Sequence, residues 1–126
     1  MNFTRTLFNA VQKTTTGITG LAVHPNPRPY LIQTYNDTLK TLSRFPAAAA
    51  VYRQAVEAVT QHRLSVVEST ENVREIEDRI GAGQIEEIIV QADDERELVD
   101  KMAEWKPWEP LETPPPKGQW TYNLRE

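Results

Sequence analysis

The chain of 126 residues contains no cysteine and only two histidines. The missing cysteines exclude disulfides, thiolate metal sites, a cysteine nucleophile and cysteine-held iron–sulfur clusters. No apolar run approaches the roughly 20 residues that a helix needs to cross a bilayer, so no direct membrane span is expected. Acidic residues number 18 against 14 lysines and arginines. This acidic balance argues against nucleic acid as a partner, because phosphate binding needs concentrated positive charge.

Proline is absent from residues 47–106, and this absence indicates where helices can run. Between Tyr30 and the end of that region, the only strong helix breakers are Pro46, Gly81 and Gly83. This punctuation predicts three long helices and one short helix. The long helices are expected at about 30–44, 46–68 and 84–105, and the short one at about 71–80.

Each long segment carries an apolar stripe at helical spacing. The predicted stripes are Leu31, Tyr35, Thr38, Leu42 and Phe45 in the first, Ala48, Tyr52, Ala55, Val59, His62 and Val66 in the second, and Ile85, Ile88, Ile89, Ala92, Val99, Met102 and Ala103 in the third. Three stripes joined by short connections predict an all-α fold, a small antiparallel three-helix bundle with the short fourth segment packed against it.

Residues 1–29 are predicted to form a basic N-terminal arm that contains no acidic residue. Its threonine-rich start, with apolar side chains at helical spacing, has the composition of a mitochondrial targeting segment. An ordinary flexible basic terminus is the other interpretation, and the composition fits both equally. Proline alternates with other residues from His24 to Pro29, which predicts a stiff, polyproline-like approach to the first helix.

A C-terminal arm is predicted over residues 106–126, after the helical bundle of residues 30–105. It holds five prolines together with Trp108, Trp120 and Tyr122. A solvated tail seldom carries this much aromatic surface, so contact with the bundle or with a partner is expected.

No catalytic, cofactor or metal site is predicted. The run Asp93-Asp94-Glu95 does not direct its carboxylates to one point, so a solvated helix face is expected. Ser65 follows His62 by three positions, but no oxyanion loop or third orienting group accompanies the pair. His62 lies on the predicted stripe and is expected to be a hydrogen-bonded core or edge residue.

The predicted partner-binding residues are Pro107, Trp108, Trp120, Tyr122 and Arg96. Tryptophan and tyrosine dominate the energy of many interfaces, although these rings could also close the end of the bundle. Trp105, still on the third long helix, is expected mainly in the core. Arg96 occupies a position on the apolar stripe. It either extends to the rim of the bundle or forms an ion pair with a carboxylate on a neighbouring helix or a partner.

The second half of the chain carries a more specific pattern. The segment Gly81–Glu87, the helix that follows it and the sequence EWKPWEPL at 104–111 resemble the family called "ETC complex I subunit conserved region". These are the small, 13-kDa accessory subunits of the alpha subcomplex of mitochondrial respiratory complex I. The segment Pro25–Tyr30 and the Phe45-Pro46 junction are also similar, so the resemblance covers about residues 21–111. Arg96 departs from the family, in which this position is typically apolar.

The resemblance implies a non-catalytic accessory subunit with a structural or assembly role, supporting electron transfer from NADH to ubiquinone. It implies a helical protein on the hydrophilic matrix arm, peripheral to the mitochondrial inner membrane, that binds no redox centre or cofactor. The implied partners within this hetero-oligomer are core subunits of the arm, notably the 30-kDa subunit. Two other functions stay open. One is a freestanding helical adaptor that binds a partner protein helix, and the other is a small hydrolase or metal-dependent enzyme.

Overall fold

The computed structural model describes residues 13–122, and within this range it contains helices and no strand. The helices are α1 (Pro27–Leu42), α2 (Ala50–Ser69), α3 (Val73–Ile80) and α4 (Ile85–Trp105), with a short 3-10 helix at Ala47–Ala49 before α2. The prediction of an all-α fold is confirmed. Most of the segment predicted as a targeting signal lies outside the described residues.

Helix α1 begins at Pro27, three residues before its predicted start. Pro27 and Pro29 fit the first turn because its N–H groups need no partner within the helix and proline already has a helical φ angle. The alternating prolines therefore end in helix rather than in an extended arm. Arg28 fixes this turn by donating to the backbone carbonyls of Val67 and Glu68, each at 2.8 Å. These carbonyls belong to the last turn of α2, so α1 and α2 run antiparallel.

Helix α1 lies between α2 and α4 and contacts both. Tyr30, near the start of α1, bonds to Asp93 of α4, and Asp37 further along α1 lies beside Arg96 further along α4. Helices α1 and α4 therefore run in the same direction. None of the helices within residues 13–122 combines the length and apolar character that a bilayer span requires.

The apolar core has two parts. The first part lies at the end of the bundle where α1 and α4 begin, and its buried members are Leu31, Tyr35, Val66, Val67, Ile76, Ile85, Ile88, Ile89 and Ala92. The second part lies at the opposite end, and its buried members are Leu42, Phe45, Ala49 and Val99. The stripes predicted for α1 and α4 are buried as expected, except that Met102 is half-buried and Ala103 is exposed.

The stripe predicted for α2 is right at Tyr52 and Val66 and wrong, by about one position, at its other four members. Ala48, Ala55, Val59 and His62 are exposed, and the buried residues of this region are Ala49, Thr60, Val66 and Val67, with Tyr52 and Val56 half-buried. Alanine and valine occur on two sides of this helix, so helical spacing alone fits both rotations. The contacts of α2 with α1, together with the Tyr52–Glu95 hydrogen bond to α4, select the side that is buried.

Two glycines reverse the chain between α3 and α4. Gly81 has a left-handed φ of 68° and caps α3 by donating its N–H to the carbonyl of Glu77 at 2.8 Å. This left-handed cap ends α3 at Ile80, where the break at Gly81 predicted the end of the short helix. Gly83 also has a positive φ, of 92°, and a Cβ atom there would collide with the carboxylate of Glu87. That carboxylate accepts the backbone N–H of Gln84 at 2.7 Å and so caps the start of α4.

Replacing Gly81 with alanine should lower the free energy of unfolding by about 1 kcal/mol, because a Cβ atom is strained in the left-handed conformation. The space around Gly81 is open, so no steric collision adds to this cost. Urea denaturation followed by circular dichroism measures the change. Gly81→Asn is the matched control, since asparagine tolerates this conformation better and should lose less. Equal losses in the two variants would contradict the backbone explanation.

Candidate partner-binding surface

The last turn of α4 places two tryptophans in different environments. The helix ends at Trp105, and Lys106 adopts the left-handed conformation with φ 49° while donating its N–H to the carbonyl of Met102 at 3.0 Å. Pro107 follows and has no N–H with which to continue the helix. The chain therefore turns back towards the bundle, and Trp108 is carried over the end of the second core.

Trp108 is half-buried and packs against the second core. Its ring lies 5.5 Å from the ring of Phe45, which in turn stacks at 5.9 Å on the ring of Tyr52. These three rings come from three separate segments of the chain and close one end of the bundle. Trp108 therefore supports the fold, and a further contact with a partner through its exposed edge remains a prediction.

Trp105 is 63% exposed, so its predicted place in the core is wrong. It follows the buried Val99 by six positions, which is about 240° around a helix, and its side chain therefore points away from α1. The sequence pattern placed it on the helix correctly, but the stripe ends near Met102. Trp105 is instead an exposed aromatic ring next to the point where the C-terminal arm begins.

The C-terminal arm carries further exposed apolar side chains. Leu111, Trp120 and Tyr122 are 72%, 83% and 81% exposed, and Pro107 is also exposed. We call the four exposed side chains Trp105, Leu111, Trp120 and Tyr122 the aromatic tail surface. Exposed apolar side chains in such number are typical of surfaces that bind another protein.

The acidic run on α4 does not form a cation site. Asp93 accepts the hydroxyl of Tyr30 from α1 at 2.9 Å, and Glu95 accepts the hydroxyl of Tyr52 from α2 at 3.0 Å. The carboxylate of Asp94 lies between them in sequence and is exposed. The three groups therefore diverge, and residues 13–122 contain no cluster of three or more potential metal ligands.

The two tyrosines that bind these carboxylates resist ionisation. The hydrogen bond to Asp93 raises the pKa of Tyr30, with smaller contributions from burial and from the negative charge of Asp93. Burial raises the pKa of Tyr52 strongly, and the hydrogen bond to Glu95 raises it further. Both hydroxyls therefore remain protonated donors at neutral pH, and both carboxylates are held in contacts between helices.

Arg96 lies at the edge of the bundle, with its side chain 44% exposed. Its guanidinium is 3.8 Å from Asp93 on the same helix and 4.0 Å from Asp37 on α1. The side chain thus combines the two alternatives from the sequence, extension to the rim and an ion pair to a neighbouring helix. Exposed pairs at such distances stabilise a fold little, and a role of Arg96 in binding a partner remains a prediction.

His62 and Ser65 do not form a catalytic pair. Both are exposed on α2, and the hydroxyl of Ser65 donates to the backbone carbonyl of His62 at 2.8 Å. The expected core or edge position of His62 is wrong for the same reason as the rest of the α2 stripe.

One contact has only a weak signal in the sequence. Glu86 of α4 is only 3% exposed, and its carboxylate forms an ion pair with Lys13. Nearby, the side-chain amide of Gln84 donates to the carbonyl of Thr16 at 2.7 Å. The segment that contains Lys13 and Thr16 therefore lies against the start of α4. Only the opposite charges of the N-terminal arm and of α4 hinted at this contact.

These features define a small helical protein with exposed aromatic and acidic side chains. Residues 20–87 match the model of the family described as "ETC complex I subunit conserved region". The match covers more than half of the chain, and the chain belongs to this family.

Relatives from three kingdoms align over most of the chain. It is 52% identical over 107 residues to "NADH dehydrogenase [ubiquinone] 1 alpha subcomplex subunit MCI4" of Candida albicans, covering 85% of this chain and 77% of the relative. It is 44% identical over 112 residues to "NADH dehydrogenase [ubiquinone] 1 alpha subcomplex subunit 5" of Bos taurus, covering 89% and 96%. The probable mitochondrial subunit 5 of Arabidopsis thaliana is 49% identical over 96 residues, covering 76% and 56%.

The two tryptophans at the end of α4 should differ in their effect on stability. Trp108→Ala should lower the free energy of unfolding by about 2 kcal/mol, because it removes a half-buried ring from the second core. Trp105→Ala should change it by no more than about 0.5 kcal/mol, as is usual for an exposed side chain. Chemical denaturation of the two purified variants makes the comparison. A larger loss for Trp105→Ala would contradict the placement of the two rings.

The raised pKa of Tyr52 predicts a loss of stability in alkali. An unfolded tyrosine ionises near pH ~10, whereas Tyr52 in the folded chain stays protonated beyond that point. Its contribution is therefore fully present below about pH 10 and is lost as the pH rises further. Urea denaturation at a series of pH values should show a steeper decline for the wild type than for Tyr52→Phe. Lysine deprotonation affects both proteins equally, so parallel curves would contradict this assignment.

Proposed function

We propose that this chain is a non-catalytic accessory subunit of mitochondrial complex I, the NADH:ubiquinone oxidoreductase. The observation that carries the proposal is its 44% identity to the bovine alpha subcomplex subunit over 96% of that protein's length. The role is structural or concerned with assembly, and it supports electron transfer from NADH to ubiquinone through other subunits.

The contacts inside the bundle support a role without chemistry. The hydroxyls of Tyr30 and Tyr52 and the carboxylates of Asp93 and Glu95 bind one another across helix interfaces. The Ser65 hydroxyl is bonded to a backbone carbonyl. The tyrosine hydroxyls and carboxylates thus join neighbouring helices, and the Ser65 hydroxyl is bonded within its own helix.

The proposed location is the hydrophilic arm of complex I, on the matrix side of the inner membrane and peripheral to it. The proposed partners are core subunits of that arm, in particular the 30-kDa subunit. The family resemblance of the segment EWKPWEPL supports this location. The aromatic tail surface supplies the kind of side chains through which a small subunit binds a larger one.

The location is tested by native gel electrophoresis of mitochondrial extracts from cells in which a tagged copy replaces the endogenous protein. The tagged chain should migrate with the complete complex and with the partly assembled matrix arm. Migration only as a free small protein would overturn the proposal and would favour a freestanding helical adaptor.

The aromatic tail surface is tested in the same cells. A variant with Trp105→Ala, Trp120→Ala and Tyr122→Ala should enter the complex less efficiently than the wild type, by roughly tenfold or more, since truncated hot-spot residues each cost about 2 kcal/mol. The purified variant should keep the stability of the wild type, because all three side chains are exposed. Thr113→Ala in the same arm is the control. Normal incorporation of the triple variant would show that this surface is not used.

A further inference from the structure

The C-terminal arm does not pack on the bundle after Trp108. That residue is half-buried, whereas every residue from Glu109 to Tyr122 is exposed. A backbone hydrogen bond within this stretch closes a turn, with the N–H of Gln119 donating to the carbonyl of Pro116 at 3.1 Å. The bundle therefore buries none of the apolar side chains between Glu109 and Tyr122.

Three consecutive prolines stiffen the middle of this exposed stretch. They are Pro114, Pro115 and Pro116, directly before the turn of residues 117–120. The ring of proline holds φ at about −65°, and a proline also keeps the preceding residue out of the helical conformation. Pro114 and Pro115 are therefore held extended in the manner of a polyproline helix.

Stiffness favours binding, because an arm that is already extended loses less conformational entropy when a partner fixes it. An apolar side chain stands on each side of the prolines, Leu111 before them and Trp120 after them, and both are exposed. Polyproline segments typically bind in apolar grooves lined by aromatic side chains. The arm therefore has the chemistry of a ligand for such a groove.

The charges of the arm indicate how the two ends of that groove differ. In residues 109–122 the charged side chains are Glu109 and Glu112 before the prolines and Lys117 after them. All three are exposed, and the ion pairs of the described residues involve other side chains. A complementary groove is therefore basic at the end that receives Leu111 and acidic at the opposite end.

We propose that residues 109–122 bind in an apolar groove of another protein, with the three prolines extended against aromatic side chains of that groove. Leu111 and Trp120 enter pockets at its two ends. A lysine or arginine of the partner pairs with Glu112, and an aspartate or glutamate pairs with Lys117. This inference rests on the proposed function, since the groove belongs to another subunit of the same assembly.

Competition between two differently tagged copies of the full chain tests the role of the prolines. Each variant is expressed together with the wild type, and the ratio of the two tags in the assembled complex is compared with their ratio in the free pool. The variant with Pro114→Ala, Pro115→Ala and Pro116→Ala should lower the ratio in the complex roughly tenfold, because each alanine restores backbone freedom that binding must remove. This variant keeps Leu111 and Trp120, so anchoring by those side chains alone predicts no loss. An unchanged ratio would overturn the inference.

The purified proteins separate binding from folding. The triple proline variant should unfold at the same urea concentration as the wild type, since these prolines are exposed and lie beyond the bundle. A lower midpoint would show that the arm stabilises the bundle and would overturn the inference. Pro25→Ala is the control, the same substitution at an exposed proline before α1, and it should leave the ratio in the complex unchanged. An equal loss for this control would count against the arm as well.

Charge reversal tests the acidic end of the groove. Lys117→Glu should lower the ratio in the complex roughly threefold or more, because it replaces an attraction with a repulsion. Lys117→Arg keeps the charge and should leave the ratio unchanged. No loss for Lys117→Glu, or equal losses for both variants, would contradict the pairing of Lys117 with an acidic side chain.

Photo-crosslinking amino acids at positions 113 and 119, placed one at a time, identify the groove directly. Mass spectrometry of the assembled complex should find both joined to the same other subunit, position 113 near a lysine or arginine and position 119 near an aspartate or glutamate. Crosslinks to this chain itself, to two different subunits or to nothing would overturn the inference. If the wild type enters the complex while the arm variants enter equally well, this inference fails alone. If the wild type never enters it, the proposed function has failed.

Discussion

The structure depends on the burial of α1 between α2 and α4. Leu31 and Leu42, near the two ends of α1, are fully buried, and each belongs to a different part of the core. The first part also takes residues from the other three helices, so α1 supplies the surface on which they pack. Removing this helix would leave α2 and α4 joined by little more than side-chain hydrogen bonds.

Apolar burial alone does not determine how these helices are rotated. Alanine and valine occur around much of α2, and several rotations of it would bury comparable area. Polar contacts make the choice more specific. The bonds of Tyr52 to Glu95 and of Tyr30 to Asp93 each join α4 to a different helix and require one particular rotation of it. Because both bonds are partly shielded from water, losing either leaves a polar group poorly satisfied.

The sequence contains enough information for the helices and for most of the core. The helix limits follow from where proline and glycine occur, and the stripes of α1 and α4 follow from large apolar residues at regular spacing. The left-handed cap at Gly81 could be predicted because glycine adopts that conformation most easily. These features are local, so neighbouring residues are sufficient to define them.

The features that could not be predicted depend on contacts between distant residues. The ion pair of Lys13 with Glu86 joins positions 73 residues apart, and nothing beside either residue indicates it. Trp105 is predicted in the core and Trp108 at a partner surface, whereas Trp105 is exposed and Trp108 is half-buried. This reversal depends on the left-handed turn at Lys106, a conformation that lysine disfavours.

The aromatic tail surface has a consequence for the stability of the folded protein. A bundle of this size buries too little apolar surface to be very stable alone, and it leaves Trp105, Trp120 and Tyr122 in water. A partner that binds only the folded chain stabilises it by mass action, in proportion to the logarithm of its concentration over the dissociation constant. In the proposed assembly, burial of these exposed side chains by a partner therefore links the folding of the bundle to its incorporation.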